Sequence, residues 1–426
     1  MLEKHEAAPV RFLENVVWDS ADGYHIRDVD GNTYVDFSSG AMITNSGHNN
    51  QAIIDAITDQ LKTGIYSTYL FPNKPRAILH ELLSRIAPAD YQTVLLNTGS
   101  EGIEMALKMV RIYATKVRAN KGLVVTFKNS YHGKLMATTA IGGSDPLKYW
   151  ISEDIQSELS VQVPFPNCEY EPRPYSFADT LAQLRDKNVD IDDVAAFLIE
   201  PYQGGSCSFV PESYARDMAE FCRANDILVV CDEVQSGVGR TGEMWAYQHL
   251  GIVPDIFVAA KGVAASLPLS VVFARRDLFD LCDLGSFNTT HSGNPVCCAA
   301  AVANINYVLD NDLVERSRRM GELLHRKLEE IATKYPFFVS HVLGKGLAQS
   351  IHLNQNYKHL LKDVLKAFIA NGLLVVSPGG AGGTTFKLVP PLIIDEEGIE
   401  RGCDIIANSL SEIISANCLD EKERVA

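Results

Sequence analysis

Residues 254–270 read PDIFVAAKGVAASLPLS, and Lys261 is the only charged side chain between Asp255 and Arg275. Ile256, Phe257, Val258, Ala259 and Ala260 precede it; Val263, Ala264 and Ala265 follow. A continuous apolar run that stops at a polar residue fits a strand buried on both faces. An ammonium at the end of such a strand is desolvated, which favours the neutral amine. That amine can form a Schiff base with a carbonyl. The plain alternatives are a lysine that snorkels out from a strand end, or one that pairs with Asp255.

Similar runs occur at Val94–Leu96, Leu123–Phe127, Val194–Ile199, Ile227–Cys231 and Leu269–Phe273. Helical spacing separates them, through Ile103, Ala106, Leu107 and Val110 within Glu101–Val117, and again over Tyr214–Ala224. Strand–helix alternation of this kind predicts an α/β fold with a mostly parallel sheet flanked by helices. We expect residues 55–305 to form this large domain. The ends read differently: DVDGNTYVDF (28–37) places a turn between short strands, and a long helix from Val308 leads into an α+β segment. Residues 1–54 and 306–426 are therefore expected to pair as a smaller α+β domain.

Four of the runs end in chemistry. Val94–Leu96 enters NTGSEG (97–102), Val194–Ile199 ends at Glu200, Ile227–Cys231 at Asp232 and Glu233, and Ile256–Ala260 at Lys261. Ligands of open α/β sheets bind beyond the carboxyl ends of the strands. Gly99 and Ser100 lie where a helix starts, so free N–H groups, the helix dipole and a hydroxyl could hold a phosphate. The competing reading is an ordinary cap, with Ser100 as N-cap and Glu104 completing an approximate box. Asp232 on a buried strand end needs a cation or strong donors, and a protonated ring nitrogen would serve. Lys261 follows about one loop–helix–strand excursion later, which could bring both onto adjacent strands.

Bulk properties narrow the classes. The chain has 426 residues, is 46% hydrophobic and carries a net charge of −15. That balance argues against nucleic-acid and anionic-membrane partners, which need basic stripes. Nine scattered cysteines without a CxxC pair suggest reduced thiols in a cytoplasmic protein. The N-terminal stretch lacks the apolar core of a secretory signal, and no apolar run nears the roughly 18 residues of a membrane helix. GVGRTG (237–242) spells G-x-G-x-x-G, yet it neither leaves a strand directly nor opens a helix, so it fails as a dinucleotide fingerprint. Walker and HExxH patterns are absent, and no metal site is expected.

With these positions in view, the chain resembles the class III (ω-type) aminotransferases, fold-type I enzymes that use pyridoxal 5′-phosphate. The resemblance runs from DVDGNTYVDF and Gly47–His48 to LVPPL (388–392). It rests most on NTGSEGIEMALKMVR (97–111), YHG (131–133), EPYQG (200–204), DEVQSGVGRTG (232–242), PDIFVAAKG (254–262) and GNP (293–295). It implies that Lys261 holds the cofactor as an internal aldimine and shuttles a proton, while Asp232 pairs with the pyridine N–H. It further implies that Gly99 and Ser100 bind the phosphate, Tyr131 and Val234 cover the two ring faces, and Gln235 bonds the phenolic oxygen. Thr290 would reach the phosphate of a neighbouring subunit, which implies a homodimer. Glu200 would lie near the cofactor as part of a switch between substrates, and His132 is expected to be structural.

The implied activity is ping-pong transfer of an amino group. The donor would be L-glutamate, L-alanine or a small amine, and the acceptor a keto acid, aldehyde or ketone. A racemase or epimerase, an aminomutase, a decarboxylating transaminase and a catalytically silent binding protein are the alternatives. Three departures mark this chain. Ala264, Ala265 and Ser266 replace a glycine-rich turn, Gly205 replaces an acidic residue, and Lys387 stands where many members use an arginine for the substrate carboxylate. Lysine lacks the bidentate fork, which points to a specialised substrate.

Overall fold

Seven strands form the central sheet of the computed structural model, numbered here in chain order: β1 (Tyr91–Leu96), β2 (Leu123–Phe127), β3 (Ser160–Val163), β4 (Val194–Ile199), β5 (Leu228–Asp232), β6 (Ile256–Ala259) and β7 (Ser270–Arg275). Their order is β1-β7-β6-β5-β4-β2-β3. The contacts β6–β5, β5–β4, β4–β2 and β2–β3 are parallel, whereas β7 runs antiparallel to both β6 and β1. The structure describes residues 16–119, 122–166, 175–377 and 383–419, with His5 and Ala7. The expectation about a secretory signal falls mainly on residues outside that set.

All six apolar runs are strands. The sequence did not betray β3, because it is an edge strand of sequence SVQV, mostly half-buried, with no continuous apolar run. Helix α1 (Gly99–Val117) packs Ile103, Ala106, Leu107 and Val110 against Leu96, Leu198, Val230, Val258 and Val272. Each buried Ile, Leu or Val side chain among these contributes roughly 1.5–3 kcal/mol of transfer free energy. Gly102 lets α1 approach closely, since a Cβ there would lie 2.6 Å from Val258 Cγ1.

The chain ends build smaller sheets. Trp18–Asp22, His25–Asp28 and Thr33–Asp36 pair in antiparallel order, and Leu373–Leu374 joins alongside Thr33–Asp36 as a parallel fourth strand. The expected turn in DVDGNTYVDF is fixed by Asp28, whose Oδ1 accepts from the backbone N–H of Asp30 and Asn32. A second sheet orders Val339–Lys345, Ala348–Leu353 and Thr385–Leu388. Helices Gln51–Lys62 and Pro295–Asp310 run across residues 54 and 305, so both expected domain borders fall inside helices.

GVGRTG forms turns, with Val238, Gly239 and Gly242 at positive φ. Its Arg240 is fully buried and donates to the carbonyls of Leu347 and Pro390, to Ser39 Oγ and to Asn45 Oδ1. Burial lowers its pKa to about 9, opposed by Tyr202 and Asp36. The loop therefore ties the central sheet to both chain ends.

Candidate active site

Asp232 ends β5, and its registry partner is Val258 on the adjacent parallel strand β6, three residues before Lys261. Both side chains face one cavity of about 350 Å³ at the carboxyl ends of the strands. Asn97, Thr98, Gly99 and Ser100 form one wall, Tyr131, His132 and Gly133 another, and Val234, Gln235 and Ser266–Leu269 close it.

The Lys261 amine lies 3.5 Å from the Ala41 carbonyl. Its pKa is lowered to about 8 by burial and by the Lys387 ammonium, against the pull of Asp232 and Glu200. The alternative pairing with Asp255 fails, because Asp255 bonds Arg275 and the Val229 N–H. Lys261 has φ +37°. The turn after it keeps left-handed backbone without glycine, at Ala265 (φ +47°) and Ser266 (φ +81°). Ser39, Ala41 and Met42 also have positive φ, so the segment facing the amine is strained as well.

Asp232 is 5% exposed. Its Oδ2 lies 2.8 Å from His132 Nδ1, and its Oδ1 accepts from the Val234 N–H at 3.0 Å. Each carboxylate oxygen keeps room for another donor. His132 Nε2 is buried without a hydrogen-bond partner among the described residues. Glu200 accepts from the backbone N–H of Tyr131 and Gly204. Burial raises its pKa to about 7, a rise that His132 opposes and Asp232 reinforces. Glu233 turns away from the cavity and bonds Ser236 Oγ and the N–H groups of Ala246 and Tyr247.

The helix start corrects the sequence reading in one respect. Thr98, not Ser100, caps α1, and Glu101, not Glu104, completes the box. Glu104 instead accepts from Ala137 and Thr138 at the next helix. The Ser100 hydroxyl is thereby left without a hydrogen bond among the described residues, and Ser100 lines the cavity. Cβ atoms at Gly99 and Gly133 would lie 2.7 Å from Val234 Cγ1 and 2.3 Å from Ser100 Oγ. The cradle is thus built of bare backbone beside a free hydroxyl at a helix start.

The class III aminotransferase family model matches residues 8–410. The chain belongs to the class III aminotransferases. A 2-aminoadipate transaminase of Pseudomonas putida is 32% identical over 396 residues, covering 91% of this chain and 93% of that protein. An acetylornithine aminotransferase of Methanopyrus kandleri is 31% identical, with coverage of 91% and 92%. A solved transaminase from the marine bacterium Virgibacillus superposes with a TM-score of 0.89 at 26% identity, covering 97% of this chain and 98% of that one. The chain is accordingly a pyridoxal phosphate-dependent aminotransferase of the fold that the sequence predicted.

The aminotransferase's own residues fit that cofactor. An amine, a carboxylate with spare acceptor capacity and an anion cradle surround one cavity, in the arrangement an aldehyde, a ring nitrogen and a phosphate require. Lys261, Asp232, Gly99, Ser100, Tyr131, Val234 and Gln235 all line it. Glu200 stands behind Tyr131, and Lys387 stands behind Gln235 at 2.9 Å. Thr290 is exposed and is not part of the wall, although its neighbour Thr289 meets Asn97. Sequence reasoning missed Ile43, which lines the cavity, and Ala41, whose carbonyl meets the amine; both places depend on the chain crossing back from the N-terminal sheet. It assigned His132 no contact with Asp232; only the strand-end position of Asp232 could have suggested one.

Proposed function

We propose that this aminotransferase uses Lys261 as anchor and proton carrier, with Asp232 as the partner of the cofactor's ring nitrogen. The observation that carries the reading is the pairing of β5 with β6, which points Asp232 and Lys261 into one cavity. Pyridoxal phosphate, when bound, supplies an aldehyde that takes up the amino group and a ring that accepts electrons from the substrate's C–H bond. Ser100 and the N–H groups at the start of α1 bind its phosphate, Tyr131 and Val234 enclose its ring, and Gln235 donates to its phenolic oxygen. A neutral Lys261 amine takes the proton from the substrate carbon, and the ammonium so formed returns it. Glu200 and Lys387, expected to bind substrate, instead stand behind the cavity wall, where they hold Tyr131 and Gln235.

Donor and acceptor are an amino acid and a carbonyl compound of which at least one carries a carboxylate away from the reacting carbon. Relatives named for 2-aminoadipate and 4-aminobutyrate, both amino acids with a carboxylate away from the reacting amine, support this. Two copies form a homodimer in the cytoplasm, with exposed Thr290 completing the neighbour's phosphate site. Exposed apolar side chains between residues 54 and 78, among them Ile65, Leu70 and Phe71, support the dimer. Within each copy the central sheet and its helices make the large domain and the two chain ends the smaller one, with the borders outside the helices Gln51–Lys62 and Pro295–Asp310.

The test is spectroscopic. The purified protein with cofactor should absorb in the visible, and amino donors added singly should bleach that absorbance as the matching keto product appears. A bleach without a keto product, or α-proton exchange without amino transfer, would defeat the reading. Sedimentation of the loaded protein as a monomer would defeat the dimer.

A further inference from the structure

Lys387 is 4% exposed, and among the described residues it makes no ion pair. Its ammonium donates to Gln235 Oε1 at 2.9 Å and stands 5.4 Å from the centre of the Tyr202 ring. Its backbone is fixed on both sides, since Lys387 pairs with Ser350 in the small sheet and exchanges hydrogen bonds with Val376. Gln235 is confined as well. A Cβ at Gly204 would lie 2.1 Å from its Nε2 and 2.7 Å from its Cδ, so the carboxamide lies against a bare α-carbon. Gly204 is in turn held by its N–H bond to Glu200.

An ammonium has three donors and no acceptor, so the carboxamide that meets it must present oxygen. The amide nitrogen is then the end away from the lysine, and it is the Gln235 atom nearest the bare α-carbon of Gly204. Among the described residues it donates to none, and Gln235 lines the cavity. Without Lys387 the carboxamide loses the donor that fixes which of its ends faces the lysine, and its oxygen is free to turn towards the cavity.

We propose that Lys387 is a positioning residue that locks the Gln235 carboxamide with its N–H group towards the cavity, so that the site always offers a donor, never an acceptor, to an anionic oxygen of the bound cofactor. The inference rests on the proposed reading of this cavity as the pyridoxal phosphate site. The donor favours the ionised phenolic oxygen electrostatically. It costs no reorganisation during the reaction, because the lysine has already set its direction. The charge that Lys387 brings and the direction it imposes are separable. A glutamine at 387 would keep a donor for Gln235 without the charge, whereas a methionine would keep neither.

The experiment is a pH titration of the visible absorbance of the loaded protein. Lys387→Met should raise the midpoint by about one unit above that of Lys387→Gln, the size expected when one hydrogen-bond donor is lost. Lys387→Arg, which also has donors alone, should stay within a few tenths of a unit of the unmodified protein. In a Gln235→Leu background, the difference between the Met and Gln variants should vanish, because the lysine acts through Gln235. Equal midpoints for the Met and Gln variants in the Gln235 background would overturn the proposal, leaving only a charge effect. So would a Met–Gln difference that survives Gln235→Leu. Failure of the underlying reading is distinct: the unmodified protein would show no such absorbance, or Lys261→Ala would keep it.

Discussion

His132 Nδ1 and Asp232 Oδ2 are 2.8 Å apart, and both residues are almost fully buried. A carboxylate of this kind, free to rotate, would lose its aim at the cavity. The histidine fixes it, while the Val234 N–H holds the other oxygen. His132→Ala should therefore lower kcat/KM about 10- to 100-fold, the consequence of leaving a buried carboxylate oxygen short of a donor. Steady-state kinetics check this, and an unchanged kcat/KM would show that Asp232 is held without the histidine.

Lys261 predicts a pH dependence with a definite sign. Its pKa is lowered to about 8, so the neutral amine dominates above that pH. The rate at which cofactor-free protein captures pyridoxal phosphate should rise with pH through about 8 and then level off. Lys387 is the second cause of the lowering. Lys387→Met should therefore move the midpoint to higher pH. The linkage runs in the same sense: the unfolded lysine holds its proton to higher pH than the folded one, so this residue's contribution to stability grows as pH rises above about 8. Stopped-flow absorbance across pH 6–10 measures the capture; a midpoint that stays put in the variant contradicts the coupling.

Arg240 predicts a structural effect far from the chemistry. Its guanidinium satisfies the carbonyls of Leu347 and Pro390 and the side chain of Asn45 within a fully buried site. Arg240→Met leaves those acceptors unpaired, at about 1–3 kcal/mol each, so the loss should be on the order of 3 kcal/mol or more. Thermal melting of the cofactor-free protein should show a clearly lower Tm. A melt unchanged from that of the unmodified protein would mean that water replaces the guanidinium.

Gly99 predicts a steric effect at the cofactor. A methyl group there would press on Val234 Cγ1 at 2.7 Å and Cγ2 at 3.0 Å. Overpacking of this kind costs about 1–3 kcal/mol. Gly99→Ala should therefore weaken pyridoxal phosphate binding by roughly tenfold or more while the fold persists. Equilibrium dialysis gives the Kd, and an unchanged value would place Val234 elsewhere in the loaded protein.

The strands and helices around the site were legible because β4, β5 and β6 are buried on both faces and read as unbroken apolar runs. The strand ends gave Glu200, Asp232 and Lys261, since chemistry there interrupts hydrophobicity. Other features were hidden for physical reasons. The half-buried edge strand β3 carries no periodic signal. Choosing Thr98 over Ser100 as the cap of α1 is a matter of two residues of backbone geometry, which two hydroxyls on either side of Gly99 cannot reveal. The contacts of His132 with Asp232 and of Lys387 with Gln235 join positions 100 and 152 residues apart, and only tertiary folding brings them together.

If Lys261 is the amine that holds the cofactor, Lys387, bonded to Gln235 of the same cavity wall, is the control against which to judge it. The direct measurement is borohydride trapping of the loaded protein, followed by digestion and mass spectrometry. Borohydride should leave a reduced cofactor adduct on the peptide that contains Lys261, and none on the peptide that contains Lys387. An adduct on Lys387, or none on Lys261, would contradict that role for Lys261.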